Sequence, residues 1–129
     1  MNPINKYVSI GTHLHYLSIQ SFKSIIEEKL PMVINCYSDW CPACSEMKPA
    51  FEKLALEFGD KAVFAKVRID EDSELANGLQ VEVMPTFLFF TQGLYLGRLE
   101  GSIGYLNLEA AVEKLLQLNQ QIIKGEQLS

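Results

Sequence analysis

The chain has 129 residues, of which 48% are hydrophobic, and carries a formal net charge of −5 with a pI near 5.0. This size suits one domain with a packed core, and the acidic balance argues against nucleic acid as a partner, because phosphate binding needs a basic face. No apolar run is long enough to span a membrane. Residues 1–7 lack the basic-then-apolar order of a signal peptide, which favours a cytoplasmic location.

Apolar periodicity along the chain predicts alternating strands and helices. Residues 1–12 carry no strong period and are interpreted as an N-terminal extension. Strands are predicted at residues 13–17, 32–37, 62–69, 86–90 and 94–99. The first of them alternates weakly, so we expect an edge strand with His13 and His15 on the solvated surface. A tight turn at residues 92–93 should join the last two strands into a hairpin.

Four helices are predicted from apolar stripes and capping residues. They run from Ser18 or Ser21 to Pro31, from Cys41 to Gly59, over a short segment that includes Leu75 to Leu79, and from about Tyr105 to Ile122. Pro42 would occupy the first position of the second helix, where its missing N–H costs nothing. Pro49 falls inside the same helix and should kink it.

The predicted element order is β-α-β-α-β-α-β-β-α. Helices that connect strands indicate parallel pairing with helices on both sheet faces, and the final hairpin adds antiparallel strands. The fold class is therefore α/β, with a central mixed sheet of about five strands flanked by about four helices. We assign the domain to residues 13–118 and interpret residues 119–129 as the end of the last helix and a tail.

The segment Trp40–Cys44 carries the chemistry of this chain. Cys41 and Cys44 are three positions apart, and positions i and i+3 share one face of a helix. The N-terminus of a helix favours negative charge, so Cys41 should form a thiolate more readily than a free cysteine. This arrangement makes the pair a candidate for passing electrons to and from a disulfide in another protein.

A metal site is the alternative use of such a pair. The chain has three cysteines, an odd number that fits poorly with a secreted disulfide scaffold. One CxxC, Cys36 in a buried strand and two distant histidines fall short of the usual four-ligand zinc site. We therefore predict no metal, and we interpret Cys36 as an inert buried thiol.

With its motifs at compatible spacings, the chain resembles the thioredoxin family from about His13 to Leu118. The matching residues are Trp40, Cys41 and Cys44, then Pro49, Lys66, Asp70, Met84–Pro85–Thr86, Gly93 and Gly101. The resemblance implies the thioredoxin fold, with the CxxC at the edge of the sheet. It also implies a cis bond before Pro85, which would place the Met84 backbone beside Cys41.

The resemblance further implies a function as a protein-disulfide reductase. Cys41 would attack a substrate disulfide, and Cys44 would then resolve the mixed disulfide, leaving a redox-active Cys41–Cys44 bridge. The partners implied are disulfide-containing proteins and a separate thioredoxin-reductase-like electron donor, with no bound cofactor and no membrane or nucleic acid. The substrate surface would comprise Trp40, Met84, Pro85, Thr86, Gly101 and Ser102.

Two departures from the family pattern concern the tuning of the site. Pro42–Ala43 stands between the cysteines where thioredoxins usually have Gly-Pro. Asn35, which cannot titrate, stands where they usually have a buried Asp close to the lysine that matches Lys66. We expect the Cys41 thiolate to form more readily than in an Asn35→Asp variant, an effect to which a protonated Lys66 would add, and resolution by Cys44 to be slower. The alternative is that Asn35 only fills its place and that water carries the proton.

Two other functions stay open at this point. The chain could be a thioredoxin-fold binding module, which recruits a partner to the groove around Pro85 with little redox turnover. It could also be a more oxidising disulfide oxidase or isomerase, which would require an oxidising compartment.

Overall fold

The computed structural model describes residues 14–125, and within them the elements follow the predicted order. The strands are β1 (Leu14–Tyr16), β2 (Met32–Tyr37), β3 (Val63–Arg68), β4 (Thr86–Thr91) and β5 (Leu94–Glu100). The helices are α1 (Ile19–Ile26), α2 (Pro42–Phe58), α3 (Ser73–Gly78) and α4 (Tyr105–Ile123). None of these helices is long and apolar enough to cross a membrane.

The five strands form one mixed sheet in the order β1-β3-β2-β4-β5. The pairs β1·β3 and β3·β2 are parallel, whereas β2·β4 and β4·β5 are antiparallel. Cys36 lies opposite Thr86, and Thr86 lies opposite Glu100. The carboxyl ends of β2 and β5 therefore meet the amino end of β4 at one end of the sheet. The predicted fold class is confirmed.

Each face of the sheet carries its own core. Helices α2 and α4 cover one face, where the buried side chains include Phe51, Phe64, Phe87, Leu108 and Leu115. Helices α1 and α3 cover the other face, where they include Ile25, Ile34, Val67, Leu75 and Leu88. Each large side chain buried in this way stabilises the fold by about 1.5–3 kcal/mol. The strand residues thus alternate between two packed layers, which explains their nearly continuous apolar runs.

The end of α1 differs from the prediction. Ser18 caps the helix, and its hydroxyl accepts a hydrogen bond from the N–H of Ser21, as expected. The helix stops at Ile26, however, and does not continue to Pro31. Lys29 has a positive φ of 61°, which leads the chain out of the helical path. The residue before a proline also disfavours the helical conformation, so the turn is completed before Pro31 is reached.

The prediction for the first strand was right about its place and wrong about His15. The sheet order puts β1 at an edge, but His15 is only 2% exposed. His15 lies beside Ala65 in the register with β3, on the face covered by α1 and α3. An edge strand exposes main-chain groups along one side while both its faces can still be covered. His13 lies outside the described residues.

Candidate active site

The turn after β2 places the cysteine pair at the start of α2. Cys41 is the N-cap residue of this helix in an extended conformation, and Pro42 occupies the first helical position, as predicted. The backbone N–H of Cys44 donates a hydrogen bond to Sγ of Cys41 at 3.1 Å. The sulfur therefore takes the place of the side-chain oxygen that usually caps a helix. A negative charge on this sulfur would be stabilised by the same N–H and by the helix dipole.

The two thiols differ in their access to solvent. Both are free, but Cys41 is partly exposed whereas Cys44 is only 6% exposed. Burial raises the pKa of the Cys44 thiol to about 11, and the hydrogen bond with Cys41 adds to this rise. Cys44 therefore keeps its proton at neutral pH. This asymmetry suits a first attack by Cys41 and a later one by Cys44.

The loop before β4 comes close to the outer cysteine. The Met84–Pro85 peptide bond is cis, as predicted, and the thiol of Cys41 donates to the carbonyl oxygen of Met84 at 3.5 Å. The hydroxyl of Thr86 is bonded to the carbonyl of Val83 across this turn. The N–H of Gly101 donates to the carbonyl of Pro85 at 2.8 Å. Of the predicted contact residues, Met84 lies beside Cys41, and Met84, Gly101 and Ser102 are at least partly exposed. The prediction was wrong for Pro85 and Thr86, which are buried because the neighbouring strands and helices cover the start of β4.

The segments next to Cys41 and Met84 expose two large apolar side chains. Trp40 is 83% exposed, which fits its predicted place on a contact surface, and Val83 is 43% exposed. Ser102 donates a hydrogen bond of 2.6 Å to the carboxylate of Glu46, which lies one turn into α2. The sequence reading missed Val83 and Glu46. No local pattern identifies Glu46, because its partner is 56 positions away.

A polar cavity of about 190 Å³ lies behind the cysteine pair. Its lining comprises Tyr16, Asn35, Tyr37, Ser38, Asp39, Cys44, Ser45, Lys48 and Lys66. The predicted tuning residues Asn35 and Lys66 therefore share one space with the inner cysteine. Asn35 is 4% exposed, and its Oδ1 has no hydrogen-bond partner within the described part of the protein. The cavity is large enough to admit water to these groups.

Lys66 is buried beside aromatic rings. Its side chain is 6% exposed, and Nζ lies 4.4 Å from the ring centroid of Tyr37 and 5.5 Å from that of Tyr16. Burial lowers the pKa of Lys66, and the nearby positive charge of Lys48 lowers it further. Sequence reasoning missed both tyrosines, although Tyr16 lies opposite Lys66 in the register of a strand that was predicted.

Ionic contacts hold the loop that precedes the cysteine pair. Arg68, at the end of β3, lies 3.1 Å from the carboxylate of Asp39 and 2.7 Å from that of Glu71. Asp39 directly precedes Trp40, so these pairs connect the exposed tryptophan to the sheet.

Cys36 faces away from the site into the core of α1 and α3, where burial raises its pKa to about 12. Among residues 14–125, no group of three or more His, Cys, Asp or Glu is placed to hold a metal ion.

Comparisons with known proteins agree with this geometry. Thioredoxin-like protein 1 of Schizosaccharomyces pombe is 39% identical over 99 residues, which are 76% of this chain and 33% of that protein. Thioredoxin H4 of Arabidopsis thaliana is 37% identical over 94 residues, 72% of this chain and 78% of that protein. The crystal structure of Malassezia sympodialis thioredoxin superposes with a TM-score of 0.75 at 32% identity, covering 84% of this chain and 95% of that one.

The extent of these matches differs from one relative to another. The chain spans only a third of the length of the S. pombe protein, and 61% of a rice relative named Thioredoxin Y, chloroplastic. Both a relative named chloroplastic and a solved mitochondrial thioredoxin match, so the comparisons do not assign a compartment. The family model described as Thioredoxin matches residues 13–114, which are most of the chain. The chain therefore belongs to the thioredoxin family.

Proposed function

We propose that this chain reduces disulfide bonds in other proteins by dithiol–disulfide exchange. Membership in the thioredoxin family and the shared fold support thiol–disulfide oxidoreductase chemistry in general. The observation that carries the more specific proposal is the hydrogen bond from the Cys44 N–H to Sγ of the partly exposed Cys41. It offers stabilisation to one thiolate of the pair, the one that a large partner can reach.

The reaction would proceed in two exchanges. The thiolate of Cys41 attacks one sulfur of the substrate disulfide, which forms a mixed disulfide and releases the other substrate sulfur as a thiolate. Cys44 then loses its proton and attacks Sγ of Cys41, which closes the Cys41–Cys44 bridge and releases the second substrate sulfur. The substrate gains two electrons and two protons, and the chain loses them. An external dithiol reductase would return the chain to the dithiol form.

Substrate binding would use the surface beside Cys41. An extended peptide would pair with the backbone of Met84, as an added strand does, while Trp40 and Val83 supply apolar contact. The carbonyl of Met84 lies within 3.5 Å of the attacking sulfur, so a peptide paired there would present its disulfide to Cys41. We place this activity in the cytoplasm, because a dithiol reductant with an odd cysteine count suits a reducing compartment.

The test is insulin reduction driven by dithiothreitol, with Cys41→Ser, Cys44→Ser and Cys36→Ala compared with the wild type. We expect Cys41→Ser to lose the catalysed rate and Cys36→Ala to keep it. In a separate incubation of the reduced variant with insulin but without dithiothreitol, Cys44→Ser should accumulate a mixed disulfide that mass spectrometry detects and that added dithiothreitol then releases. Equal turnover by the wild type and Cys41→Ser would reject the proposal in favour of a binding module. A strongly oxidising potential would favour an oxidase or isomerase instead.

A further inference from the structure

A cleft of about 500 Å³ lies between α2 and the segment that connects β5 to α4. Its lining is mainly apolar and includes Met47, Pro49, Ala50 and Tyr105. The only acidic side chain that borders it, within the described part of the chain, is that of Glu46. The cleft therefore combines an apolar surface with one carboxylate.

Glu46 is connected to the surroundings of Cys41 through a series of short contacts. The thiol of Cys41 lies 3.5 Å from the carbonyl oxygen of Met84, and the N–H of Gly101 donates to the carbonyl of the next residue at 2.8 Å. The hydroxyl of Ser102, which follows Gly101, donates to the carboxylate of Glu46 at 2.6 Å. This carboxylate therefore lies at the border of the surface where a substrate peptide would bind.

The negative charge of Glu46 has no cationic partner. The side chain is exposed, and among residues 14–125 no lysine or arginine lies within ion-pair distance of its carboxylate. Lys53 borders the same cleft, but it follows about two helical turns later, and its Nζ lies 4.6 Å from the ring centroid of Tyr105. The hydrogen bond from Ser102 restrains the carboxylate without neutralising it, so a cation from another molecule can pair with it.

The neighbouring charges favour a partner of the same sign. Glu82 precedes β4 and Glu100 ends β5, and both are exposed and outside the ion pairs of the described residues. Asp39 is already paired with Arg68 at 3.1 Å, and Lys48 borders the cavity behind the cysteine pair instead. An acidic surface of this kind attracts basic partners and repels acidic ones.

We propose that Glu46 selects substrates that carry a lysine or arginine close to the reacting disulfide, and that the cleft receives this side chain. The inference rests on the function proposed above and names the substrate class for the same site. The aliphatic stem of the basic residue would lie on Met47 and Ala50, while its cationic head pairs with Glu46. Ser102 is a positioning residue that holds the carboxylate. The two exchanges at the sulfur atoms stay as written above.

The experiment measures how fast an excess of the reduced wild-type chain reduces disulfide-linked peptide pairs that carry a fluorophore and a quencher. The peptides differ at one position, which holds Arg, Gln or Glu and is moved along the residues on either side of the reacting cysteine. At the matching position, the second-order rate constant with Arg should exceed that with Gln about fivefold, which corresponds to about 1 kcal/mol for an exposed ion pair. This preference should decrease as the salt concentration rises, because salt screens exposed charges.

Variants are compared by the ratio of the Arg rate to the Gln rate, since a general effect on Cys41 cancels in this ratio. Glu46→Gln should lower the ratio to about one, and Glu46→Lys should make the Glu peptide faster than the Arg peptide. Ser102→Ala should give a ratio between those of the wild type and Glu46→Gln.

Glu57→Gln is the matched control. Glu57 is also an exposed carboxylate of α2 that accepts a hydrogen bond from a hydroxyl of α4, that of Tyr105 at 3.4 Å. It lies about 16 Å further along the helix than Glu46, so Glu57→Gln changes the net charge equally without touching the proposed contact. We expect it to keep the wild-type ratio. Thermal unfolding checks that each variant folds.

The outcomes separate the inference from the proposed function. If the wild type reduces the peptides but prefers Arg at no position, the inference is overturned and the proposed function stands. A preference of full size in Glu46→Gln, or an equal loss of preference in Glu57→Gln, would also overturn it, because another group or the net charge would then be responsible. A wild-type ratio in Ser102→Ala would overturn the positioning role of Ser102. If the wild type reduces none of the peptides, the proposed function itself fails.

Discussion

The backbone N–H of Cys44 lies 3.1 Å from Sγ of Cys41, while the thiol of Cys44 itself is almost completely buried. The N–H of Cys44 thus stabilises a negative charge on the sulfur of Cys41, whereas burial disfavours a negative charge on the sulfur of Cys44 itself. The order of the two exchanges follows from this relationship, because the sulfur that receives the N–H is also the one in contact with solvent.

This asymmetry predicts the order of alkylation by iodoacetamide. With a pKa of about 11, roughly one Cys44 thiol in ten thousand is ionised at pH 7. We expect Cys44 in a Cys41→Ser variant to react at least about a hundredfold more slowly than Cys41 in a Cys44→Ser variant. Its rate should rise with pH up to about 11, since the thiolate fraction increases throughout that range. Peptide mapping by mass spectrometry measures both rates, and similar values at pH 7 would contradict this assignment.

Trp40 supplies the second prediction. A side chain that is 83% exposed contributes little to stability, but it can contribute strongly to the binding of a protein substrate. Trp40→Ala should lower kcat/KM for insulin by about 5- to 30-fold, which corresponds to about 1–2 kcal/mol, and leave the Tm nearly unchanged. Leu56→Ala is the matched control, because Leu56 is 58% exposed near the other end of α2.

A small disulfide reagent, 5,5′-dithiobis(2-nitrobenzoate), distinguishes an effect of Trp40→Ala on substrate binding from an effect on the chemistry of Cys41. Since 5,5′-dithiobis(2-nitrobenzoate) does not need a peptide surface, Trp40→Ala should react with it at nearly the wild-type rate. An equal loss with both substrates would show that Trp40 supports the geometry of Cys41 and is not a contact residue.

Asn35→Asp is expected to make the protein more reducing. Asn35 shares its cavity with Cys44 and Lys66, so a carboxylate placed there would repel a thiolate of the pair and neutralise Lys66. Each pKa unit corresponds to roughly 30 mV for a two-electron couple, so the potential should become more negative by on the order of 30 mV. Equilibration with a glutathione buffer of known potential measures the difference. An unchanged potential in Asn35→Asp would show that Asn35 only fills its place, and a less negative one would contradict the electrostatic expectation itself.

Much of the site could be read from the sequence because its determinants are local. The cap at Cys41, the proline at the first helical position and the two facing cysteines depend on residues within one helical turn. Alternating apolar strands and helices likewise predict the sheet and its two covered faces. The cis bond at Pro85 came from the family resemblance, since spacing alone does not distinguish cis from trans.

What the sequence did not predict depends on distant contacts or on how far a face is covered. His15 alternates like a solvated edge residue, but helices on the far side of the sheet bury it. The hydrogen bond between Ser102 and Glu46 joins residues that only the packing of α4 and α2 brings together. Asn119, in the segment interpreted as the end of a helix, is buried and accepts a bond from Thr91 at 2.6 Å. A polar residue on a helix does not reveal such a partner.

Cys36 predicts how stability changes at alkaline pH. Burial raises its pKa from 9.0 to about 12, so the unfolded chain loses this proton first as pH rises. Its contribution to the free energy of unfolding is complete below pH 9 and declines as pH rises from there towards 12. At pH 10 the loss should be about 1.4 kcal/mol relative to pH 8, because one unit above the unfolded pKa costs about that amount. The Cys36→Ala variant has no thiol at this position, so its free energy of unfolding lacks this pH-dependent contribution.

Urea unfolding under reducing conditions at pH 8 and pH 10 measures the effect as a difference between the wild type and Cys36→Ala. Tyr37, whose pKa burial also raises to about 12, is present in both proteins, so its contribution cancels. The stability advantage of the wild type should shrink by about 1.4 kcal/mol between the two pH values. Cys36 is completely buried on β2, which lies between β3 and β4, so its ionisation in the folded state is incompatible with an intact core. A constant advantage would mean that Cys36 ionises equally in the folded and unfolded states, and it would contradict this prediction.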